Sequence, residues 1–235
     1  WVELPDGVSV AAVNGPSAVV VSGDEAAVDA LAEVLRNKGR RVRRLRVSHA
    51  FHSARMEPAM AELGRVAEDL VHATPRITWV GALDGNLVTT PEPGYWPAQA
   101  RQAVRFADSL STMAGLGITT FVEIGPDGTL TALGENALPS VEAGFVSLLS
   151  PAVPAASSVL TGLARMHGQG VPVAWTSVIG GGPTVELPTY ASSGSAIGRL
   201  LPRLRRWASV RGAEVRSKRS SGRRLRTGIW MPWPS

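Results

Sequence analysis

Val8-Ser-Val-Ala-Ala-Val13, then Asn14-Gly15-Pro16-Ser17, then Ala18-Val-Val-Val-Ser22 is the stretch that decides the fold. Two apolar, β-branched runs flank four residues of turn chemistry, which is the pattern of a β-hairpin. Gly23-Asp24 then leads into a helical pattern over residues 25–38, with Ala27, Val28, Leu31, Val34 and Leu35 on one face. Asp24 is placed to cap the start of this helix and Gly39 to stop it. Residues 40–47 alternate charged and apolar side chains, as an edge strand does. A β-β-α-β run predicts half of a small α+β sandwich; a complete ferredoxin-like unit carries one more β-α in front.

Further along, residues 48–53 read as a polar–aromatic turn. Residues 56–71 read as an amphipathic helix with Met56, Met60, Leu63, Val66, Ala67 and Leu70 inward. Strands are expected at 77–81, 119–124 and 145–149, and helices within 97–115 and at 129–138 and 159–168. Residues 84–93 are loop, and Gly125-Pro-Asp-Gly128 is a turn. This alternation is that of an α/β layer. Residues 183–190 look extended, and a short helix fits 197–210.

The composition bounds the function. The 235 residues, 44% of them hydrophobic, are enough to fill a core. No apolar run approaches the length of a membrane-spanning helix, and the N-terminal residues do not read as a signal peptide, so a cytoplasmic setting is the default expectation. Zero cysteines exclude disulfides, thiolate metal sites and a thiol nucleophile within these residues. The net charge of +5 first suggests a nucleic-acid binder. Its distribution argues otherwise. Residues 192–235 hold ten Arg and one Lys against Glu214 alone, so the remaining residues carry a net charge of −5. A nucleic acid or acidic partner would have to act through that basic tail.

Spacing alone yields few chemical signals. The four histidines, His49, His52, His72 and His167, form no zinc-ligand pattern, so no metal is expected. His72 and His167 read as surface residues at helix C-terminal ends. Gly125-Pro-Asp-Gly128 lacks the Lys and further Gly of a phosphate loop and reads as a structural turn. No Gly-x-Ser-x-Gly nucleophile elbow occurs. The most informative segment is Val47-Ser-His-Ala-Phe-His-Ser-Ala-Arg-Met-Glu-Pro58, where His49, Phe51 and His52 cluster.

Six segments in register give the chain its resemblance. They are the hairpin at 8–23; His49-Ala-Phe-His52 with Ser53 and Met56-Glu-Pro58; and Tyr95-Trp96 followed by Gln99, Arg101 and Val104-Arg-Phe106. The others are Phe121-Val-Glu-Ile-Gly-Pro126 with Leu130-Thr131; Leu163-Ala-Arg-Met-His167 running to Trp175; and Leu187-Pro-Thr-Tyr-Ala191. Together they resemble the acyltransferase domain of modular type I polyketide synthases, related to the malonyl-CoA:acyl-carrier-protein transacylases. Ala103 stands where these relatives usually have Pro. The resemblance implies an α/β fold: an incomplete hydrolase-like layer with part of a ferredoxin-like subdomain. The implied division is 1–48 for that subdomain, 49–150 for the C-terminal part of the large subdomain, 151–191 for a following linker and 192–235 for the tail. The tail departs abruptly from the relatives after Ala191; a frameshift and a true basic arm both produce such text, and irregular chain is expected there.

The resemblance also implies chemistry. Acyl groups pass from coenzyme A to a carrier-protein phosphopantetheine thiol through an acyl-serine. A serine hydroxyl is a poor nucleophile until a base takes its proton, and imidazole is suited to that task. By motif position the base is His52, with a backbone carbonyl, carried over to Gln99, fixing its tautomer. His49 and Phe51 stand where these relatives select malonyl over methylmalonyl units, the Phe51 ring filling the space of the extra methyl. The implied substrate is malonyl-CoA, with no bound cofactor. The implied partners are an acyl carrier protein and the neighbouring synthase domains on the ketosynthase side, without membrane or nucleic acid. The family's nucleophilic serine lies upstream of the motifs present, so these residues alone are expected to be inactive. The alternatives are a non-catalytic remnant and a basic binding protein acting through residues 192–235.

Overall fold

The computed structural model describes residues 3–182, residue 186 and the backbone of 227–232. Two compact units are present: Trp1–Val173 with Arg224–Ser235, and Ala174–Arg223. In the second unit the described structure is the short helix α7 at Trp175–Ile179, numbered in chain order after the six helices of the first.

The expected hairpin forms as β1 (Val8–Gly15) and β2 (Ala18–Gly23), antiparallel, with register shifts at Val10/Ala12 and Val13/Gly15. Helix α1 (Glu25–Asn37) buries Val28, Leu31, Ala32 and Leu35 against Val21, with Val8, Val19 and Val42 at the margin. These positions are spaced i, i+3, i+4, i+7, one face of a 3.6-residue repeat. Val34 sits beside that stripe and is 45% exposed, contrary to its expected place on it. Gly39 ends the helix with φ 74°, its N–H donating to the Arg36 carbonyl at 2.8 Å, a conformation that glycine adopts without steric cost. Strand β3 (Arg43–Arg46) is tied to α1 by Arg44, whose guanidinium reaches Glu25 at 2.6 Å and Asp29 at 3.4 Å.

The sheet order is β1-β2-β6-β3, where β6 is Thr227–Pro232, antiparallel to both neighbours. The expectation of irregular tail is corrected at these six residues. The rest of 192–235, the short helix expected at 197–210 and the extended stretch at 183–190, apart from residue 186, lie outside the described residues.

After a 3-10 turn at Ala54–Met56 come α2 (Glu57–Glu68), α3 (Tyr95–Arg101) and α4 (Phe106–Gly115). Strand β4 (Thr120–Glu123), α5 (Thr129–Ala137), β5 (Gly144–Ser147) and α6 (Ala155–Gly168) follow. β4 and β5 pair in parallel, and the crossover helix α5 packs with α4 over a second core of Leu110, Ala137 and Leu138, with Phe121 and Phe145 stacked at 4.9 Å. The architecture is mixed α/β. Among the described residues no helix is long and apolar enough to cross a membrane.

Two expectations fail in the middle. The stretch 77–81 forms no strand: it pairs only at an isolated Val80–Leu87 bridge, and Ile77 is 83% exposed. In α2 only Ala67 is buried, while Val66, and Leu70 just past the helix end, face outward. Periodicity named an apolar face there, but burial depends on which other element covers it.

Because Leu31 fills the first core and Val34 does not, Leu31→Ala should cost about 2–4 kcal/mol and Val34→Ala less than about 0.5 kcal/mol. Urea titration followed by circular dichroism measures both; equal shifts in midpoint would show that α1 does not pack on this face.

Candidate functional site

His52 lies in the turn between β3 and the 3-10 turn that begins at Ala54. Its φ is 58°, and among the described residues it alone adopts positive φ without being glycine. That conformation costs an ordinary residue about 1 kcal/mol or more, so the surroundings must hold it. The end of α3 does so. A helix leaves its last carbonyls without partners inside the helix. The His52 N–H donates to the Ala100 carbonyl at 3.0 Å, and His52 Nδ1 lies 2.7 Å from the Gln102 carbonyl.

Gln102 is presented to the imidazole by the strand-like path that leaves the helix. Its ψ is 165°, and two residues on Val104 joins the free edge of β1: the Val104 N–H donates to the Ala11 carbonyl at 2.9 Å, and the Val13 N–H to the Val104 carbonyl at 2.8 Å. The hairpin thus sets the position of the carbonyl that meets His52. The sequence reading assigned this role to Gln99, and the structure corrects it by three residues. Gln99 lies inside α3, with its side chain 3.5 Å from the Tyr95 hydroxyl. The last carbonyls of a helix, those of Gln99 and Ala100 included, all lack a partner within it; the one within reach of the ring belongs to Gln102, on the extended backbone that leaves the helix.

A carbonyl oxygen only accepts hydrogen bonds, so the hydrogen of the neutral imidazole sits on Nδ1 and Nε2 keeps its lone pair. His52 is half-buried and lines a cleft of about 520 Å³ that also includes His49, Phe51, Ala12, Val20 and Leu45. Phe51 is 49% exposed, its ring edge-on to His49 at 6.1 Å and tilted against His52 at 6.4 Å. His49 Nδ1 lies 3.0 Å from the Ser48 hydroxyl. The structure therefore brings His49, Phe51 and His52 to one cleft and places Gln99 outside its lining.

The loop is braced on both sides. Arg101 of α3 pairs with Glu57 of α2 at 2.6 Å. Asp24 occupies the N-cap position of α1, but its carboxylate makes no cap bond there and instead pairs with Arg55, holding the guanidinium pKa above its ordinary value. His72, expected as a surface residue, is half-buried, with its Nε2 2.9 Å from the indole N–H of Trp96, which donates. Trp79, Tyr95 and Trp96 pack together beside it, and burial raises the Tyr95 phenol pKa, with the Asp84 charge adding to the effect.

Gly125-Pro-Asp-Gly128 is a structural turn. Glu123 accepts the N–H groups of Leu130 at 3.1 Å and Thr131 at 2.7 Å, and Asp127 accepts that of Thr129 at 3.0 Å. The helix N–H groups a phosphate would need are already bound to carboxylates. Among the described residues no group of three or more acidic or histidine side chains is placed to hold a metal.

Residues 2–173 match the acyl transferase domain family. The chain is 44% identical over 191 residues to the polyketide synthase GfsA of Streptomyces halstedii, spanning 78% of this chain and 3% of that protein. It superposes on the acyltransferase domain from the second module of the salinomycin polyketide synthase with TM-score 0.71 and 46% identity, covering 78% of this chain and 44% of that one. A malonyl transacylase solved in complex with its type II polyketide acyl-carrier protein superposes with TM-score 0.59 and 25% identity, covering 67% of this chain and 50% of that one. With its histidine cleft and these likenesses, the chain belongs to the acyltransferase domain family of polyketide synthases. It spans less than half of the solved salinomycin domain and a few per cent of the synthase.

Since both α3 contacts of His52 are with backbone oxygens, Gln102→Ala and Gln99→Ala should each change stability by less than about 0.5 kcal/mol. The His52 ring signals in NMR spectra should stay where they are. A displaced His52 ring in Gln102→Ala alone would mean that the side chain, and not the carbonyl, holds it.

Proposed function

We propose that this chain carries the base-bearing part of a site that moves a malonyl unit from coenzyme A to the phosphopantetheine thiol of an acyl carrier protein. The observation that carries this reading is the His52 ring, with Nδ1–H committed to the Gln102 carbonyl and the Nε2 lone pair free to act in the cleft. In the first half-reaction Nε2 takes the proton of a serine hydroxyl as its oxygen attacks the thioester carbonyl. Coenzyme A leaves as a thiolate and recovers that proton. In the second half-reaction the carrier thiol gives its proton to Nε2, its sulfur attacks the acyl-serine, and the serine oxygen takes the proton back. The solved transacylase with its carrier protein, similar to this chain, supports the choice of partner; the neighbouring partners in a synthase would be its other domains, with the ketosynthase on one side.

The serine is supplied by sequence outside these 235 residues, which contain no Gly-x-Ser-x-Gly. Two features support a larger parent domain. β4 pairs only with β5 among the described residues, beside an open, largely apolar cleft of about 620 Å³ with Phe106, Leu110, Met113 and Phe145 on its walls. A two-stranded parallel sheet is normally the edge of a larger one covered on both faces. In the small sheet, β6 stands between β2 and β3, antiparallel to both, the place a further strand takes when a β-β-α-β half is completed to a ferredoxin-like sandwich. In this reading the β4–β5 layer is the incomplete hydrolase-like part.

The 235-residue chain incubated with malonyl-CoA should form no covalent acyl adduct. Intact-mass spectrometry checks this, and a malonyl mass increment would overturn the placement of the nucleophile. In an intact domain carrying this segment, His49→Tyr with Phe51→Ser should raise the methylmalonyl-to-malonyl ratio roughly tenfold, the scale of discrimination against one added methyl. Competition between the two thioesters measures it, and an unchanged ratio would remove Phe51 as the selectivity element.

A further inference from the structure

Ser53 directly follows His52 and is fully buried, with 0% exposure. Its hydroxyl donates to the Ala50 carbonyl at 2.6 Å and accepts the Arg55 N–H at 3.2 Å. Ala50 is itself buried at 1% exposure. One hydroxyl therefore joins the chain two residues before His52 to the chain three residues after it, and it caps the 3-10 turn that begins at Ala54. Between those two bonds stands the one described non-glycine residue with positive φ. A sparsely populated backbone conformation persists only where its surroundings over-determine it. The α3 carbonyls hold the His52 N–H and ring from one side. The Ser53 hydroxyl closes the backbone from the other.

We infer that Ser53 is a positioning residue whose hydroxyl keeps His52 in the left-handed backbone conformation and so keeps Nδ1–H on the Gln102 carbonyl. The inference rests on the reading of His52 as the base only for its catalytic consequence; the geometry it concerns stands apart from any reaction. Without the hydroxyl, the buried Ala50 carbonyl and the Arg55 N–H both lose a partner, which a buried polar group does not tolerate cheaply. The turn then relaxes toward an ordinary φ, and the ring leaves the carbonyl. A neutral imidazole released from such a bond exchanges between its two tautomers, so the lone pair is no longer confined to Nε2.

The test is made on the full chain labelled with 15N-histidine, by long-range 1H–15N spectra at a pH where imidazole is neutral, with His52 assigned by the loss of its signals in His52→Gln. In the unsubstituted protein His52 should show a single tautomer with hydrogen on Nδ1. In Ser53→Ala its two nitrogens should move to the averaged shifts of a mixture, while His72, bonded to Trp96 on another part of the surface, keeps its own signature. Ser53→Thr, which retains a hydroxyl, should restore the single tautomer. A single Nδ1–H tautomer in Ser53→Ala overturns the inference. So does loss of the His52 and His72 signatures together in both variants, since keeping the hydroxyl then preserves neither and the buried position serves the packing of the fold at large. If Ser53→Ala alone loses both, the Thr variant decides: a single tautomer supports the inference and a mixture overturns it. Absence of the Nδ1–H tautomer in the unsubstituted protein would instead strike at the His52 site itself, and would be distinguishable on that ground.

Discussion

The structure turns on the meeting of His52 with the C-terminal end of α3. Two carbonyls that the helix leaves open, those of Ala100 and Gln102, receive the backbone N–H and the ring nitrogen of one residue. This arrangement satisfies a helix end and selects one imidazole tautomer with the same two contacts, at a residue held at positive φ. A tautomer fixed by a backbone carbonyl needs no carboxylate beside it, and the ring therefore carries no neighbouring negative charge through this contact. The consequence for chemistry is a lone pair at a fixed atom, directed by the main chain rather than by any single side chain.

The rest of the unit holds that meeting in place. The hairpin binds Val104 along the free edge of β1 and so delivers Gln102. Helix α1 and its apolar face hold the hairpin. The Arg55–Asp24 and Arg101–Glu57 pairs brace the loop from the side of α1 and of α2. These pairs are largely exposed, and exposed ion pairs contribute little energy; their effect is on where the loop sits. The second core, under α4 and α5, anchors the start of α4, just past Val104. Two otherwise separate cores thus hold elements that flank the cleft, the hairpin on one side and the start of α4 past Val104 on the other.

Much of this was legible in the chain. The hairpin, α1 and the glycine that stops it followed from β-branched runs, turn residues and 3.6-residue spacing, which are local properties. The cluster of His49, Phe51 and His52 was visible as a motif, and the structure brings its members to one cleft. The burial of Ser53 and its two bonds left no sequence signal beyond its place after His52. The tail strand Thr227–Pro232 was missed because its partners β2 and β3 lie far away in sequence, and pairing with them is invisible to local pattern. The outward faces of Val66 and Leu70 and the failure of a strand at 77–81 have the same origin: an apolar pattern proposes a face, and only a neighbouring element can cover it.

The sequence by itself determined the order and type of most elements and the residues that carry the family likeness, because these depend on propensity and on side-chain identity. Tertiary structure alone decided which carbonyl meets His52. Gln99 and Gln102 differ by less than one helical turn and share a side chain, but one lies within α3 and the other just past its end. That distinction is a matter of where the hydrogen-bond ladder stops and what the chain pairs with next. It is set by the contact between Val104 and Ala12 of β1, far apart in sequence, and no local reading of the chain contains it.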